Sequence, residues 1–556
     1  MKDYPGIVPN VSRLVFYAPF ECFVHRWDEF TAELASPDHD ELTREHLNLL
    51  HGILQEELGH IITLRQDYFK NKAVTFDHLW ALFVPGDTIL TVKHGKPIAV
   101  RFKRGFFGMT QCGRAFQMES EYIDWDGLTL GWVSTKLMVL EFVGAKPFTE
   151  LSAYPIQFHE QPDVVRAVLE MRGRKFESLC GYHYKAYEGV AFYHPEMDPS
   201  KTSSESVATR IVIDAASWEK ANPDHQVYPR TLNDGEDAGY RSRRGSISSD
   251  SEDYFSDAGS ESNEAVAVPR LKDDQVLLTA ATLRGYSLRT RRWMEFFVDL
   301  VKEVEFDDNA FDSLVLDKDH KELILAFAQS QVQFKDSFDD IISGKGKGII
   351  MLLSGGPGIG KTLTAESVAE EMHAPLYVMG AGDLGTQPHE LERNLGEVLT
   401  MVSNWNAVLL LDECDIFLEA RSSTDMHRNR IVGIFLRMLE YYEGILFLTT
   451  NRVRDMDPAF ESRIHMSLEY PDLDCNSRAT VWRTFLARAV NPDKKFFGQA
   501  VYDVSDKDVV RLSNLNLNGR QIKNAIKMAN LLSCQQGEKL TFTHIQKVLR
   551  AQGHSL

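Results

Sequence analysis

The stretch "GIIMLLSGGPGIGKTLTAESVAEEM" at residues 348–372 decides the fold of the C-terminal part of the chain. It begins with an apolar run, Ile349 to Leu353, that predicts a buried strand, and it ends in residues that favour a helix. Between them lies the pattern GxxxxGK[ST], whose glycines let backbone N–H groups point at a phosphate held at the helix N-terminus. The stretch therefore predicts a strand, a phosphate-binding loop and a helix.

The loop residues are the candidates for holding a nucleotide. The Lys361 ammonium would reach the β- and γ-phosphates, and the Thr362 hydroxyl would hold Mg²⁺. The predicted nucleotide-binding residues are Gly355, Gly356, Pro357, Gly358, Ile359, Gly360, Lys361, Thr362 and Leu363.

A second apolar strand, in "WNAVLLLDECDIFLEARS" at residues 405–422, ends in two acids. We predict that Asp412 holds Mg²⁺ together with Thr362, and that Glu413 is the general base for an attacking water. An acid directly after the metal-site aspartate indicates hydrolysis rather than phosphoryl transfer to a small acceptor. We expect the neighbouring Cys414 to be a packed thiol and not a nucleophile.

A third apolar strand, "GILFLTTN" at residues 444–451, ends in Asn451. The carboxyl end of a central strand is where a parallel α/β sheet presents groups to a ligand. Asn451 would orient the attacking water between Glu413 and the γ-phosphate. Taken by itself, this asparagine could equally be a helix cap or a turn former.

These three motifs, followed by "DPAFESRIH" (457–465) and "NGRQIKNAI" (518–526), resemble the AAA+ ATPase superfamily in content and order. The resemblance covers roughly 311–556. It implies an α/β fold, a P-loop NTPase three-layer sandwich with a parallel sheet and an α-helical lid, and here an α+β N-terminal region precedes it. The implied ligands are ATP and Mg²⁺.

The same resemblance implies that ATP lies between core and lid, at the border with the next subunit of a homo-oligomeric ring, for which six subunits are one option. Arg520 would reach the nucleotide from its own lid. Arg463 would reach the ATP of a neighbouring subunit, whereas a lone loop arginine without this context would be an ordinary surface residue.

The chain departs from the meiotic type of AAA protein in three places. The finger region has one arginine, Arg463, where two are usual, and Arg520 stands at a position that usually lacks arginine. The loop after the second strand has no aromatic residue between Gly380 and Leu395, which argues against peptide threading by an aromatic pore loop.

The whole chain further resembles a largely uncharacterised group of fungal AAA+ proteins with an uncharacterised N-terminal domain. The segments "FDHLWALFVPG" (76–86), "RGRKFESLCGYHYKAYEGVAF" (172–192) and "LLLDECDIFLEARS" (409–422) carry this resemblance. This resemblance does not identify a substrate.

Changes in composition and in the apolar pattern along the chain predict six segments. They are an N-terminal helical segment (1–75), a β-rich or α+β domain of unknown function (76–230), a disordered acidic Ser-rich linker (231–266), a helical connector (267–310), the nucleotide-binding core (311–470) and the helical lid (471–556). In the linker, Ser246 and Ser248 follow two arginines and precede acids, so they are candidate phosphorylation sites, with a plain solvated linker as the alternative. In the connector, "GYSLRTRRWMEFFVDLVKEV" (285–304) predicts a helix.

Composition narrows the class of protein. The formal net charge of −19 argues against general nucleic-acid binding, which depends on a surplus of Lys and Arg. Six cysteines without a CxxC pair favour a reducing, intracellular compartment, with cytoplasm, nucleus and mitochondrion all open. The start "MKDYPGIVPN" has no apolar run that would indicate a secretory signal, and we expect no membrane span.

The sequence therefore predicts an ATP hydrolase that remodels a macromolecular partner, a protein client recruited through the N-terminal region. One alternative is a nucleotide-dependent switch or scaffold without mechanical work, which the missing pore aromatic favours. A DNA-directed loader or helicase is a further alternative, and the acidic charge counts against it.

Overall fold

The computed structural model divides the chain into two compact units, Met1–Lys302 and Glu303–Leu556, called here the N-terminal and the C-terminal unit. The structure describes residues 4, 15–34, 36–37, 39–195, 198, 200–232, 268–333, 348–385, 387–421, 425–452, 456–488 and 502–554. The predicted linker lies almost wholly outside the described residues, as do Ser246 and Ser248.

The elements of the N-terminal unit are, in chain order, α1 (Glu21–His25), α2 (Trp27–Leu34), α3 (Glu41–Asn71), β1 (Ala73–Thr75), α4 (Leu79–Leu82), β2 (Thr88–Lys93), β3 (Lys96–Thr110), β4 (Gly113–Trp125), β5 (Leu130–Leu140), β6 (Ala145–Pro147), β7 (Ala153–Pro155), α5 (Pro162–Ser178), β8 (His183–Tyr193), β9 (Ser203–Ile213), α6 (Ala215–Ala221), β10 (Arg230–Thr231), α7 (Asp273–Val276), β11 (Thr282–Ser287), β12 (Arg292–Phe297) and β13 (Val301–Lys302).

The first part of this unit is helical and the rest is mainly antiparallel sheet. The Asp40 side chain caps the N-terminus of α3, and the helix buries Leu54, Leu58 and Ile62. Over the described residues, one sheet has six strands in the order β10-β5-β4-β3-β2-β7, and a second has five in the order β12-β11-β9-β8-β13, in which β12 also pairs with β8. The α+β character predicted for this region is confirmed.

The helix predicted over 285–304 is wrong, and with it the helical connector over 267–310. The chain there forms β11 and β12, an antiparallel hairpin within the five-stranded sheet. In β12, Met294 and Phe296 are fully buried while Trp293 and Glu295, the residues before each of them, are only partly buried, an alternation with the two-residue period of a strand. Arg291 at the turn has a φ of +54°, which no helix accommodates.

The elements of the C-terminal unit are, in chain order, α8 (Lys318–Gln333), β14 (Ile349–Gly355), α9 (Lys361–Glu371), β15 (Leu376–Gly380), α10 (Pro388–Asn404), β16 (Val408–Asp412), α11 (Asp415–Leu418), α12 (Met426–Glu440), β17 (Ile445–Thr450), β18 (Met466–Tyr470), α13 (Cys475–Arg488), β19 (Tyr502–Asp503), α14 (Asp506–Ser513), α15 (Gly519–Gln536), β20 (Leu540–Thr541) and α16 (Phe542–Ala551).

The core of this unit is a parallel sheet with helices on both faces. In the part of the chain that the structure describes, the strand order is β15-β16-β17-β14-β18, and every neighbouring pair is parallel. Leu352 and Leu353 point to opposite faces of β14, yet neither is exposed, so the sheet is covered on both sides. This confirms the predicted three-layer α/β fold.

The lid is a helical bundle formed by α13 to α16 with its own hydrophobic core, which includes Trp482, Leu512, Ile526 and Leu549. The predicted helical character of this region is thus confirmed, apart from the short pairing of β19 with β20. Among the described residues of the whole chain, none of the helices combines the length and the apolar character needed to cross a membrane.

Candidate active site

The phosphate-binding loop connects β14 to α9, as the sequence predicts. Gly358 and Gly360 have φ angles of +75° and +112°, in the left-handed region that glycine adopts without steric cost. A Cβ on Gly358 would also lie 2.9 Å from Asn518 Oδ1 of the lid. The close approach of loop and lid therefore requires glycine at this position.

Lys361 lies at the centre of the site and is almost fully buried. Its Nζ donates hydrogen bonds to the carbonyl oxygens of Gly355 at 2.8 Å and Gly356 at 2.7 Å, and to Asn451 Oδ1 at 2.9 Å. Burial lowers the pKa of the ammonium, and the nearby Asp412 carboxylate opposes that shift. A point charge held in this way suits a phosphate ligand.

Asp412 and Thr362 face each other where β16 ends. Thr362 Oγ1 lies 3.4 Å from Asp412 Oδ1, and Thr449 Oγ1 donates to the same oxygen at 2.5 Å. Mg²⁺ prefers oxygen ligands, and proteins usually hold it through one or two carboxylates together with phosphates and waters. The hydroxyl and carboxylate oxygens of this pair are therefore of the type that fits Mg²⁺ beside a nucleotide.

Glu413 and Asn451 follow the neighbouring parallel strands β16 and β17. Glu413 has a φ of +55°, a conformation that residues with a Cβ rarely adopt, and its N–H donates to Thr449 Oγ1 at 2.9 Å. This sharp turn separates β16 from α11. Both Glu413 and Asn451 are exposed residues that line the same cavity, so their side chains are accessible to a ligand there.

The lid reaches the site with the N-terminus of α15. The N–H of Gly519 donates to the carbonyl oxygen of Gly358 at 2.8 Å, and Asn518 caps the helix. Arg520 and Lys523 line the cavity. Two cations and the positive end of a helix dipole are thus directed at the space above the phosphate-binding loop.

These residues surround one cavity of about 640 Å³, which lies in the usual size range of small-molecule sites. The structure thereby brings together Lys361, Thr362, Asp412, Glu413, Asn451 and Arg520. Of the predicted nucleotide-binding residues, Gly355 and Gly356 lie outside the lining and contribute carbonyl oxygens to Lys361 instead.

Sequence reasoning missed the lining residues that lie outside the motifs. These residues come from the segment before α8 and from the lid, and they are Ser313, Leu314, Val315, Leu316, Leu473, Val481, Thr484, Phe485 and Arg488. Arg488 Nη2 also donates to Asp307 Oδ2 at 3.1 Å and to Ser313 Oγ at 3.3 Å, which ties α13 to the segment before α8. No motif marks these positions, and apolar spacing along a helix does not separate core residues from cavity residues.

Arg463 lies outside the lining of this cavity. Its Nε donates to the carbonyl oxygen of Leu436 at 3.2 Å, its Nη1 donates to that of Ala459 at 3.0 Å, and its Nη2 lies 3.5 Å from Glu440 Oε2. The side chain is only 27% exposed. Arg463 is therefore packed against the C-terminal end of α12.

Two family models match the chain. Residues 351–472 match the ATPase family associated with various cellular activities, AAA. Residues 64–160 match a domain of unknown function, DUF7025. The more specific resemblance to a fungal group stays a prediction.

Curated relatives share parts of the chain. The ATPase family AAA domain-containing protein FIGL1 of Arabidopsis thaliana is 28% identical over 206 residues, 34% of this chain and 28% of that protein. The 26S proteasome regulatory subunit 6A of Saccharomyces cerevisiae is 24% identical over 264 residues, 44% of this chain and 56% of that protein. The ATPase family gene 2 protein homolog B of Homo sapiens is 34% identical over 118 residues, 20% of this chain and 16% of that protein. The matched part thus spans between 16% and 56% of these relatives' lengths.

Proposed function

Since the chain carries an AAA ATPase domain over residues 351–472 and belongs to the AAA+ ATPase superfamily, we propose that it hydrolyses ATP to ADP and phosphate in order to remodel a protein partner. The observation that supports this most strongly is the convergence of Lys361, Asp412 and Glu413 on one cavity between core and lid. Asp412 and Glu413 lie at the end of β16 and Lys361 begins α9, and the three residues supply a metal ligand, a base and a cation.

In this proposal the phosphate loop and Lys361 bind the β- and γ-phosphates, and Lys361 Nζ exchanges its bonds to the carbonyl oxygens of Gly355 and Gly356 for bonds to phosphate oxygens. Thr362 and Asp412 would hold Mg²⁺, which would supply positive charge to the phosphate oxygens. Arg520 contacts the phosphates from the lid, so nucleotide binding and lid position are coupled. The base of the nucleotide fits against the apolar side of the cavity, to which Val481 and Phe485 belong.

Glu413 acts as the general base. It takes a proton from a water whose oxygen bonds to the γ-phosphorus, while the bond from that phosphorus to the β–γ bridging oxygen breaks. Asn451 orients this water. Its amide oxygen is held by Lys361 Nζ at 2.9 Å, which leaves the amide nitrogen to donate to the water or to the γ-phosphate.

Arg463 serves a neighbouring subunit in this proposal, so the active form is a homo-oligomeric ring, with a hexamer as one option. Because its guanidinium bonds to the carbonyl oxygens of Leu436 and Ala459 in its own subunit, reaching the ATP of a neighbour requires it to leave those partners. In a head-to-tail ring every subunit then contributes to two sites.

Two variants test the site and the client together. Lys361→Ala should lose ATP binding, whereas Glu413→Gln should bind ATP, fail to turn it over and hold its client. Cross-linking followed by mass spectrometry should find a protein enriched on Glu413→Gln with ATP and not on Lys361→Ala. If neither variant forms an ATP-dependent complex with a protein, the remodelling proposal fails and only the proposal of ATP hydrolysis remains.

A nucleotide-dependent switch or scaffold is the second candidate. The loop after β15 forms a 3-10 turn at Ala381–Leu384 and has no aromatic residue up to Leu395, which favours a function without peptide threading. An ATPase rate that no client changes, together with an ATP-dependent change in subunit assembly, would support the switch. We propose an intracellular location, in cytoplasm, nucleus or mitochondrion, and the net charge of −19 disfavours a DNA-directed role.

A further inference from the structure

Asp415 is a third acid close to the site, and the mechanism proposed above does not use it. It begins α11, three residues after Asp412. Its Oδ1 accepts two hydrogen bonds from consecutive residues, one from the Thr450 hydroxyl and one from the backbone N–H of Asn451 at 3.1 Å. One carboxylate oxygen therefore holds the point where β17 ends.

The end of β17 matters for the site because the strand ends at Thr450 and Asn451 is the next residue. The ladder of the parallel sheet no longer fixes the backbone there, and the bond from its N–H to Asp415 does. The Asn451 side chain then extends to Lys361, whose Nζ donates to its Oδ1 at 2.9 Å. The orientation of the amide thus depends on a bond that Asp415 accepts.

Thr449 and Thr450 are the last two residues of β17, and their side chains point to opposite sides of the strand. Thr449 donates to Asp412 Oδ1 and accepts from the N–H of Glu413. Thr450 donates to Asp415 instead. Both threonines are buried at 1% and 2% exposure, where a hydroxyl without a partner is costly.

Resting on the role proposed for Asn451 in ATP hydrolysis, we propose that Asp415 is a positioning residue that orients Asn451 towards the water and the γ-phosphate. It touches neither reacting atom, and the proposed effect on turnover runs through Asn451. The competing explanation is purely structural, since an acid in the first turn of α11 also stabilises the positive end of that short helix.

A double-mutant cycle separates the two explanations. The variants are Asp415→Ala, Asn451→Ala and the double substitution, with kcat and KM measured for ATP turnover and Kd measured with a fluorescent ATP analogue. Misplacing a group in an active site costs roughly 10²-fold in rate, so each single variant should lose kcat on that order while its Kd for nucleotide stays within about twofold. The double variant should be no slower than Asn451→Ala alone.

Partial variants sharpen the test. Thr450→Val removes one of the two donors and leaves the Asn451 N–H in place, so it should lose less kcat than Asp415→Ala. Asp415→Asn keeps an oxygen acceptor and should recover several-fold over Asp415→Ala. Asp425→Asn is the matched control, because Asp425 caps α12 through the N–H of Arg428 at 3.0 Å and should leave kcat unchanged.

Each outcome decides the matter. If Asp415→Ala lowers kcat by the same factor with and without Asn451, the two residues act independently and the inference fails. If Asn451→Ala lowers kcat but Asp415→Ala does not, only the inference fails and the proposed function stands. If Asn451→Ala leaves kcat intact, the proposed role of Asn451 fails, and that of Asp415 fails with it. Thermal unfolding of every variant shows whether a loss of turnover merely follows a loss of the fold.

Discussion

Replacing Arg463 with alanine should separate ATP binding from ATP turnover. An arginine that stabilises the transition state of phosphoryl transfer from a neighbouring subunit contributes roughly 10³–10⁵ in rate, so Arg463→Ala should lose nearly all turnover. Its own cavity is untouched, because Arg463 lies outside the lining. The Kd for ATP should therefore stay close to that of the wild type.

The contacts of Arg463 also determine how much stability the substitution Arg463→Ala should remove. Arg463 donates to the carbonyl oxygens of Leu436 and Ala459, and each such bond contributes about 0.5–1.5 kcal/mol. Losing both lowers the free energy of unfolding by about 1–3 kcal/mol, which a domain of this size tolerates. Thermal unfolding of Arg463→Ala measures this cost, and Arg463→Lys keeps a cation without the planar guanidinium.

A mixing assay tests the transfer between subunits. Arg463→Ala keeps Glu413, and Glu413→Gln keeps Arg463, so each variant supplies what the other lacks. Random one-to-one mixing in a head-to-tail ring pairs an intact Glu413 with a neighbour's intact Arg463 at about one quarter of the interfaces, and turnover should rise to about that fraction. If the mixture is as inactive as either variant alone, Arg463 does not act across subunits and its role is to pack against α12.

Three further outcomes follow from local geometry and burial. Burial raises the pKa of Glu219 to about 7, against the opposing effect of Arg284. The folded state therefore retains a proton that the unfolded chain releases near pH 4.5, so the free energy of unfolding of the N-terminal unit should fall between about pH 4.5 and 7. Urea unfolding at several pH values should show this fall, and Glu219→Gln should flatten it. Gly358→Ala would place a Cβ 2.9 Å from Asn518 Oδ1 and should weaken ATP binding at least tenfold in an equilibrium titration, by about 1.4 kcal/mol or more. Cys414 is fully buried and burial raises its pKa, so maleimide labelling followed by mass spectrometry should modify it only after unfolding.

The residues of the phosphate site were predictable because local sequence places them. A buried strand followed by a glycine-rich turn and a helix leaves little choice for Lys361, and apolar strands of a parallel sheet bring Asp412 and Asn451 to one edge. The structure has these residues where the motifs predict them. The catalytic roles assigned to them stay predictions that the variants above test.

The remaining features depend on contacts that no local pattern encodes. The hairpin of β11 and β12 carries apolar residues such as Trp293, Phe296 and Phe297 in close succession, which fits a helical period as well as a strand, and only its pairing with β8 and β9 decides. The lid residues Phe485 and Arg488 reach the cavity through the packing of α13. Likewise, no local pattern predicts the contact of Arg463 with Glu440, which lies 23 positions earlier in the chain.

The claim that Glu413 activates water for ATP hydrolysis is tested most directly by the nucleotide that the protein carries after a single turnover. Wild-type protein and Glu413→Gln are each incubated with Mg²⁺ and a substoichiometric amount of ATP, and the bound nucleotide is then separated and identified. Glu397→Gln, which changes an exposed glutamate of α10, is the matched control. We predict ADP on the wild type and on the control, and intact ATP on Glu413→Gln. ADP on Glu413→Gln at the wild-type rate would contradict the account.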